Sequence, residues 1–364
     1  MLVYRPLESI SDLEQVTDLE ITVWGVEPRN AVPAALMHAS VLSGGVVMGA
    51  YDEGRIVGLS YALPARRSKK WMLWSHMTGV HPDYQGGGVG FGLKQAQRTW
   101  ALKHGYNFIS WTFDPLRRGN ANFNLHLLGA TACVYHADFY GEMTDAINVG
   151  LPSDRVEAQW DLRSSRVHSL MNGASVASEA DSLYPDGCFL LKVGADNRPL
   201  VADFDTISSR WHFVEIPFDL AKLKLVAPDA AYVWCIALRG VLQDAFARGS
   251  TLVDFVVSQG RCWYVLLAAT PWYLYVVECS DGSLYTGVTL NMQHRVSQHN
   301  AGKGAAYTAT RRPVKLVAAW QFAGRASALR AEAGFKRLSR PQKLSHIKGK
   351  LSYLGAPCLL SDMK

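Results

Sequence analysis

Along the first 112 residues, stretches in which every second residue is apolar alternate with stretches whose apolar residues lie three or four apart. The run VVMGAYDEGRIVGLSYALP predicts a β-hairpin that turns at Asp52-Glu53-Gly54, and WMLWSHMTGV predicts a buried strand. The run VGFGLKQAQRTWALKHG has helical spacing and stops at Gly105. This pattern therefore predicts a mixed α/β domain over residues 1–167.

The same reading continues beyond Gly105. YNFISWTF predicts a strand, ANFNLHLLG a helix that ends at Gly129, and TACVYHADFYG a further strand. A less apolar bridge then leads into residues 168–269, where we expect the strands CFLLKV, HFVEIP, TLVDFVV and RCWYVLLA and the helix DAAYVWCIALRGVLQDAFARG. This segment predicts an α/β extension of the first domain and shows no catalytic pattern of its own.

Residues 270–350 predict a third, small α/β module, followed by a tail over residues 351–364. Alternating β-branched and aromatic residues around Asp281-Gly282 indicate a hairpin. The run TLNMQHRVSQHNAGKG predicts a helix that is capped by Thr289 or Asn291 and stopped by a glycine. A second helix, SALRAEAGFKRL, carries an apolar stripe formed by Ala328, Ala331, Phe335 and Leu338.

Length and composition agree with several globular domains. A chain of 364 residues exceeds what one hydrophobic core usually serves. The chain has neither a run of 18 apolar residues nor a basic-then-apolar leader, so we expect a soluble, cytoplasmic protein without a membrane partner. Its six cysteines lack a Cys-x-x-Cys pair or a nearby histidine, which favours reduced thiols over disulfides or structural zinc.

Basic charge is concentrated in the third module. Residues 271–350 carry 13 lysines and arginines against three acids, whereas residues 1–270 carry 23 against 27. An excess of this size within eighty residues attracts polyanions, and salt weakens that attraction. Nucleic acid, most simply DNA, is therefore the expected partner of this module.

The glycine-rich run VHPDYQGGGVGFG lies where a strand leads into a helix. A loop with little side chain lets backbone N–H groups approach a phosphate at the positive end of the helix. No Lys-Ser/Thr follows for a Walker loop, and a Gly-x-Gly-x-x-Gly frame that starts at Gly88 fails at Leu93. A glycine-rich turn that binds nothing is the alternative.

The spacing Gln85-x-x-Gly88-x-Gly90 resembles the Gln/Arg-x-x-Gly-x-Gly/Ala element of the GNAT acyltransferase superfamily. The flanking strand and long helix agree, as does a later helix that ends in LLGA like the family's Leu-Gly-Phe. The resemblance covers about residues 1–165, and the extension looks like a second half that some GNAT-like proteins carry. It implies that acetyl-CoA binds by its pyrophosphate and that an acyl group passes to an amine. The implied cofactor-binding residues are Gln85, Gly86, Gly87, Gly88, Val89 and Gly90.

Acyl transfer needs a group that takes a proton from the amine and a group that returns one to the thiolate. The GNAT family often has a tyrosine four residues before the glycine of Leu-Gly-Phe, but this chain has Leu125 there. His126, Tyr135 and Tyr140 are neighbours that could substitute, although aromatic residues more often only pack. The amine acceptor stays open.

One carboxylate stands out in the basic module, because Glu332 is the single acid between Asp281 and Asp362. It could merely pair with Lys336 or Arg330 on the helix surface. A divalent metal needs at least one anionic oxygen, and magnesium often takes one protein carboxylate together with waters and phosphate. Helical spacing also puts Arg295 and His299 on one helix face.

These pieces, in this order, resemble the GIY-YIG nuclease family, over residues 271 to about 347. The elements that carry the resemblance are Tyr273-Leu274-Tyr275, Tyr285-Thr286-Gly287, Arg295, His299 and Glu332. The run ALRAEAGFKRLSRPQK further resembles the small single-domain bacterial branch, which is related to structure-specific resolvase subunits. Tyr and Leu replace Gly and Ile in the first element, and Thr replaces Ile in the second.

The resemblance implies phosphodiester hydrolysis with one divalent ion, magnesium or manganese. Glu332 would bind the metal, Arg295 would neutralise charge on the phosphate, and Tyr285 would activate the attacking water. The residues that would help Tyr285 are Tyr273, Tyr275 and His299. An acyltransferase with a nucleic-acid-binding module that does not cleave, and a binder without any catalysis, are the alternatives.

Strand parity gives a test of this cluster. A two-residue turn at Asp281-Gly282 would put Tyr285 on the opposite side of the ribbon from Tyr273 and Tyr275. One additional loop residue would bring the three phenols to one face, with Tyr285 across from Cys279. We expect the odd loop.

Overall fold

The fold comes from a computed structural model of the chain. The structure describes residues 2–67, 69–141, 150–173, 184–194, 196–204, 209–322, 324–348 and 356–357. Two compact units emerge: Met1–Gln243 with Thr251–Leu267, and Asp244–Ser250 with Ala268–Lys364. The predicted segment boundaries at residues 167, 269 and 350 stay predictions, and most of the predicted tail lies outside the described residues.

Twelve strands form the sheet of the larger unit. They are β1 Val3–Pro6, β2 Val46–Asp52, β3 Arg55–Arg67, β4 Lys70–Val80, β5 Phe108–Phe113, β6 Thr131–His136, β7 Arg155–Asp161, β8 Cys188–Val193, β9 Pro199–Val201, β10 Trp211–Glu215, β11 Thr251–Ser258 and β12 Arg261–Leu267. Their order is β1-β2-β3-β4-β5-β7-β6-β11-β12-β10-β8-β9. The strands β4 and β5 are parallel, as are β8 and β10, and the remaining neighbours are antiparallel.

Seven α-helices accompany this sheet among the described residues. They are α1 Ile10–Trp24, α2 Ala34–Leu42, α3 Val89–Lys103, α4 Arg118–Ala121, α5 Ser165–Met171, α6 Leu220–Val226 and α7 Pro228–Ala247. Apolar residues of α1 and α2 pack against β2 and β3 in one core cluster that includes Leu13, Val16, Met37, Val47 and Leu59. The mixed sheet with flanking helices confirms the predicted α/β class.

The predicted elements of the first domain recur with small differences. The hairpin turns where expected, since Asp52 pairs with Arg55. The predicted helix before Gly129 consists of the short α4 and a π-helical turn, Asn122–Leu127. The side-chain oxygen of Asn124 in this turn accepts a hydrogen bond from the Trp111 indole at 3.1 Å, so the turn is tied to β5.

The smaller unit is an α/β module with a four-stranded antiparallel sheet. Its strands are β13 Trp272–Glu278, β14 Leu284–Thr289, β15 Lys315–Phe322 and β16 Ala356–Pro357, in the order β14-β13-β15-β16. Its helices are α8 Met292–Asn300, α9 Ala306–Ala309, α10 Arg325–Arg337 and α11 Arg340–Ile347. This arrangement confirms the predicted short antiparallel sheet with helices.

The central strand β13 divides its side chains between two apolar layers. Leu274 and Val276 pack in one cluster with Phe335 of α10, whereas Tyr275 packs in another with Met292 of α8. This division follows from strand geometry, because successive side chains point to opposite faces. One sheet therefore separates a purely apolar layer from a layer that contains phenols.

The hairpin between β13 and β14 confirms the expected odd loop. Tyr285 pairs with Val277, so it lies on the same face as Tyr275 and Tyr273. The expected partner Cys279 is wrong by two residues, because the turn closes one residue earlier on each strand than we predicted.

The turn itself explains this register. The amide of Cys279 donates to the carbonyl of Ser283 at 2.8 Å, which leaves three residues in the loop. Gly282 takes the left-handed conformation, with φ of 77°, which glycine adopts without strain. The Asp281 carboxylate accepts the Ser283 amide at 2.9 Å and fixes the turn further.

The cap of α8 is Asn291, one of the two residues that the sequence left open. Its side chain accepts a hydrogen bond from the His294 amide at 2.9 Å. Thr289 has a different partner, since its hydroxyl accepts from the Asn291 amide at 3.1 Å. The two contacts together fix where β14 ends and α8 begins.

Two expectations from composition concern the whole chain. The five cysteines among the described residues are free thiols, and Cys358 lies outside those residues. Across the same part of the chain, no helix has the length and apolar character needed to span a membrane.

Candidate functional site

The glycine loop opens α3 without a side-chain cap. Gly88 is the N-cap residue, with φ of 80° and no capping side chain, and Gly86 has φ of 78°. No atom lies within 4 Å of a Cβ built on either glycine. The loop at the positive end of this 15-residue helix therefore has open space beside both glycines.

Two of the predicted loop residues have structural roles. The side-chain Nε2 of Gln85 donates to the carbonyl of Val80 at 3.1 Å and ties the loop to the end of β4. The Val89 side chain is buried against the sheet. The three glycines at residues 86–88 are exposed and present backbone groups alone.

Strands β4 and β5 form a fork. Their pairing consists of Leu73 with Ile109 and Trp74 with Ser110, although both strands continue beyond these pairs. A pair of parallel strands that stops pairing while both continue leaves backbone groups on the facing edges free of ladder bonds. The glycine loop follows the far end of β4, so the fork and the loop lie along one path.

A buried lysine lies at this fork, and the sequence analysis missed it. The Lys94 ammonium donates to the Ser75 hydroxyl at 2.8 Å and to the Gln97 side-chain oxygen at 3.2 Å. It also lies 4.2 Å from the centre of the Trp111 ring. Ser75 and Trp111 are the first residues of β4 and β5 beyond the last pair.

Burial lowers the pKa of Lys94 to about 7. No ion pair with Lys94 occurs in the described part of the chain, so no opposite charge offsets the loss of hydration of its ammonium. Lys94 lies five positions after Val89, about 140° round the helix, so the apolar stripe of α3 gave no clear signal for it. Spacing alone does not distinguish such a residue from one that faces solvent.

The three residues expected to replace the missing tyrosine have different environments. Leu125 itself is fully buried. His126 Nδ1 lies 3.0 Å from the buried Asp254 carboxylate, and the Tyr135 hydroxyl donates to Asp154 at 2.6 Å. Burial, and then this bond, raise the pKa of Tyr135. Tyr140 is half-exposed.

In the smaller unit, a directional chain of hydrogen bonds connects several predicted site residues. Arg295 Nε donates to the Tyr275 hydroxyl at 3.2 Å, and arginine has no acceptor. The Tyr275 proton therefore points to His299 Nε2, 2.8 Å away. His299 then carries its proton on Nδ1, which donates to the Thr308 hydroxyl at 2.7 Å, and Thr308 donates to the Ala305 carbonyl at 2.9 Å.

The pKa shifts agree with this direction. Burial raises the pKa of Tyr275, so the phenol keeps its proton. Burial, followed by the positive charge of Arg295, lowers the pKa of His299, so its ring stays neutral. Tyr275 and His299 are both fully buried, and together they fix the position of the guanidinium.

Tyr285 lies beside this chain with part of its side chain exposed. Its ring is 5.2 Å from His299 and is stacked at 6.0 Å on the exposed Tyr307. A hydrogen bond with Tyr285 contributes, after that of Tyr275, to a raised pKa of Arg295. Tyr273 is half-buried in the same apolar layer.

Glu332 reaches the same region from α10. Its negative charge is among the causes that raise the pKa of Tyr275, although it ranks below burial and Arg295. Its carboxylate accepts from the Lys336 ammonium at 2.7 Å, with the side chains 16% and 53% exposed respectively. The surface pair with Lys336 therefore occurs, and the role of Glu332 beside the phenols stays a prediction.

The donor set fits a metal that takes few protein ligands. Among the described residues, no group of three or more His, Cys, Asp or Glu side chains could hold a metal alone. A single accessible carboxylate suits magnesium or manganese, which complete their shell with water and substrate phosphate. Glu332 is the carboxylate that acts on Tyr275 and could hold such an ion.

A glycine makes room for the buried phenol. A Cβ at Gly287 would lie 2.6 Å from the Tyr275 hydroxyl oxygen. Gly287 is the third residue of the second motif element, so the motif requires glycine at this position for a steric reason.

Comparison with known proteins finds a family model that matches part of each unit. The GIY-YIG catalytic domain matches residues 271–345, and the Acetyltransferase (GNAT) family matches residues 13–129. A UPF0213 protein of Streptococcus agalactiae is 53% identical over 78 residues, which cover 21% of this chain and 89% of the relative. A UPF0213 protein of Cupriavidus pinatubonensis is 46% identical over 74 residues, covering 20% and 82%. The C-terminal unit belongs to the GIY-YIG family.

The chain therefore combines a GNAT acetyltransferase domain with a GIY-YIG domain, and both domains point to enzymatic activity. Among solved structures, the ribosomal-protein-S18-alanine N-acetyltransferase of Escherichia coli aligns with a TM-score of 0.37 and 14% identity, covering 45% of this chain and 96% of that one. The putative acetyltransferase yncA of Salmonella typhimurium, with acetyl-CoA, aligns with a TM-score of 0.36 and 18% identity, again over 45% and 96%.

The buried Lys94 gives a prediction on stability. Because its pKa falls from 10.5 to about 7 on folding, the unfolded chain binds more protons between about pH 7 and pH 10.5. Burial of Lys94 therefore lowers the free energy of unfolding by its greatest amount below pH 7, and this destabilisation decreases as pH rises. The stability advantage of Lys94→Met over wild type should shrink by about 3–5 kcal/mol between pH 6 and pH 10.

Urea denaturation at several pH values measures this difference. Lys103→Met, at the exposed end of the same helix, is the control and should show no such trend. A difference between Lys94→Met and wild type that does not change with pH would contradict the prediction.

The GIY-YIG domain gives a second prediction. Gly287→Ala should displace the Tyr275 ring, loosen Arg295 and destabilise the domain by about 1–3 kcal/mol. Gly334→Ala in α10 is the matched control, because a Cβ there meets no atom within 4 Å. That variant should be as stable as wild type or gain up to about 1 kcal/mol. Equal melting temperatures for the two variants would show that the close approach is not needed.

Proposed function

We propose that this protein is a bifunctional enzyme: a metal-dependent GIY-YIG endonuclease joined to an acetyl-CoA-dependent N-acyltransferase of the GNAT type. The observation that carries the nuclease half is the cluster of Tyr275, Arg295 and Tyr285, on which the charge of Glu332 also acts. Four elements contribute these groups, so the cluster is not a consequence of neighbouring positions in the sequence.

Arg295 is the group that stabilises the phosphate. Its Nε is committed to Tyr275, so its orientation is set before a substrate arrives. A guanidinium in a fixed orientation gains more from charge that develops on a phosphate than one that must first be ordered. In this proposal Arg295 neutralises the additional negative charge of the transition state.

Tyr285 is the group that activates the attacking water. It is partly exposed, whereas Tyr275 is buried with its proton directed at His299. The oxygen of Tyr285 can therefore meet a water molecule, whereas that of Tyr275 cannot. Tyr275 and His299 are therefore positioning residues for Arg295, and the half-buried Tyr273 supports the same layer.

Glu332 would hold the divalent metal, which supplies Lewis-acid stabilisation of the phosphate oxygens. The carboxylate is partly exposed, and its ammonium partner Lys336 is long, flexible and half-exposed. An exposed pair of this kind contributes little to stability, so it exchanges readily for another ligand.

The nucleic-acid partner of this domain is DNA in our proposal. The 13 basic residues of residues 271–350 supply the sequence-independent part of binding. Lys303, after α8, and Arg330 and Arg337, both on α10, are among the exposed basic residues. They are available to phosphates of the DNA backbone.

The GNAT half would bind acetyl-CoA at the glycine loop. The backbone N–H groups at the start of α3 would donate hydrogen bonds to the pyrophosphate. The unpaired edge of β4 would bind the arm that leads to the thioester. An acyl group then passes from the thioester to an amine. Gly86, Gly87, Gly88 and Gly90 provide the open backbone, Val89 contributes its amide, and Gln85 holds the loop on β4.

The nuclease proposal predicts cleavage of branched DNA in the presence of magnesium. Glu332→Gln should lower the cleavage rate by about 100-fold or more, because the neutral amide is a much weaker ligand for a hard cation. Glu278→Gln makes the same chemical change at an exposed carboxylate of β13 and should leave the rate unchanged.

Gel assays with labelled duplex, flap and four-way substrates measure these rates. Wild-type protein that binds these DNAs but cleaves none of them would favour an acyltransferase with a module that only binds nucleic acid. The Glu332–Lys336 pair would then be a surface contact alone.

The acyltransferase proposal predicts that the glycine loop is needed for cofactor affinity. Gly88→Val introduces a branched side chain at a residue with φ of 80°, which costs about 1–2 kcal/mol and reshapes the loop. Affinity for acetyl-CoA should fall by about tenfold or more, as measured by calorimetry. Gly105→Val is matched to it in strain, with φ of 84° and open space around the Cβ, but it lies at the other end of α3. Equal losses in both variants would assign the effect to strain and not to the loop.

A further inference from the structure

The acyl-transfer site proposed above lacks a group that protonates the departing sulfur. The buried Leu125 occupies the position of the family's usual tyrosine. Two of the three neighbours that could substitute for this tyrosine are hydrogen-bonded to other groups. The Tyr135 proton is directed at Asp154, and His126 is hydrogen-bonded to Asp254. We rest this inference on the proposed acyltransferase function, which requires another proton donor beside the thioester.

The fork between β4 and β5 marks where the thioester would lie. Val80 at the end of β4 lies five positions after Ser75 at the fork, a span of about 16 Å in an extended strand. That span is comparable to the arm that connects the pyrophosphate of coenzyme A to its sulfur. With the pyrophosphate on the glycine loop and the arm along the unpaired edge of β4, the sulfur arrives at the fork.

Lys94 is the group that lies at this point. Its ammonium bridges Ser75 of β4 and the Trp111 ring of β5, which are the first residues beyond the last strand pair. Asn124 holds the Trp111 indole, so the wall behind the ammonium is fixed. We propose that Lys94 is the general acid of the acyl-transfer reaction and protonates the leaving thiolate of coenzyme A.

The electrostatics around Lys94 suit this role. The groups that face it are uncharged: Ser75 from β4, Trp111 from β5 and Gln97 from its own helix. Burial brings its pKa to about 7, below the value of about 8.5 for an ordinary thiol. Proton transfer from this ammonium to a thiolate is therefore downhill, whereas an ordinary lysine would hold its proton more tightly.

The step balances without an additional reagent. The amine nitrogen attacks the thioester carbonyl carbon, and the carbon–sulfur bond breaks with its electron pair on sulfur. Lys94 Nζ gives one proton to sulfur, which leaves coenzyme A with a neutral thiol and Lys94 as a neutral amine. The nitrogen of the new amide releases one proton to solvent, and Lys94 takes one back from solvent before the next turnover.

A leaving-group comparison tests the role. The full-length protein is supplied with acetyl-CoA or with its selenoester analogue, with hydroxylamine as the acceptor, and release of the coenzyme is followed. A selenolate leaves readily without a proton. Lys94→Met should slow the reaction of acetyl-CoA by about 100-fold and that of the selenoester by less than about threefold. Lys103→Met should behave as wild type with both donors.

A spectroscopic measurement tests the geometry independently of activity. In protein labelled with ¹³C at lysine Cε, the Lys94 signal is the one that disappears in Lys94→Met. We expect it to titrate near pH 7 and to shift when coenzyme A is added. Lys94→Gln serves as a second variant for the rate comparison if Lys94→Met is poorly folded.

The outcomes separate the inference from the function on which it rests. If calorimetry detects no binding of acetyl-CoA to wild type, both the proposed acyltransferase and the role of Lys94 are wrong. If acetyl-CoA binds, the role of Lys94 is overturned by any of three results: equal slowing of both donors in Lys94→Met, no slowing, or no release of coenzyme A by wild type. A Lys94 signal that does not shift when coenzyme A is added also overturns the role of Lys94.

Discussion

The alternation of side chains along a β-strand is the constraint on which the GIY-YIG site depends. In β13 it directs Leu274 and Val276 into one apolar layer and Tyr275 into the other. The odd turn then puts Tyr285 of the neighbouring strand on the Tyr275 face. A turn longer or shorter by one residue would move every side chain of β14 to the opposite face and separate the two phenols.

From that register the rest of the site follows by hydrogen bonding. A buried phenol needs a partner for its proton and for its lone pair, and His299 and Arg295 provide them. The chain continues to Thr308 and the Ala305 carbonyl, so each donor in it has one acceptor. The partly exposed Tyr285 and Glu332 are the groups left to meet solvent and substrate.

In the GNAT domain, burial makes a side chain hold its proton less tightly, which is the opposite of its effect on Tyr275. Tyr275 is buried with its hydrogen bonds satisfied and keeps its proton, whereas Lys94 is buried among uncharged groups and holds its proton weakly. The cause is the same in both, because low polarity favours the neutral form of each group. The larger unit thus contains an acid of near-neutral strength at the fork of its two parallel strands.

The sequence by itself determined the elements, the basic character of the last module and the identity of both families. These properties depend on local spacing: Gln85 to Gly90, the two tyrosine elements and the apolar stripe of α10. The sequence also predicted the odd turn, because only that parity gathers the phenols, but it missed the partner of Tyr285 by two residues. Turn closure depends on the hydrogen bond between Cys279 and Ser283, which spacing does not reveal. Only the tertiary structure decided that Tyr275 is buried, that Gln85 holds the loop and that Lys94 lies at the fork, because burial and pKa depend on residues brought together from distant strands and helices.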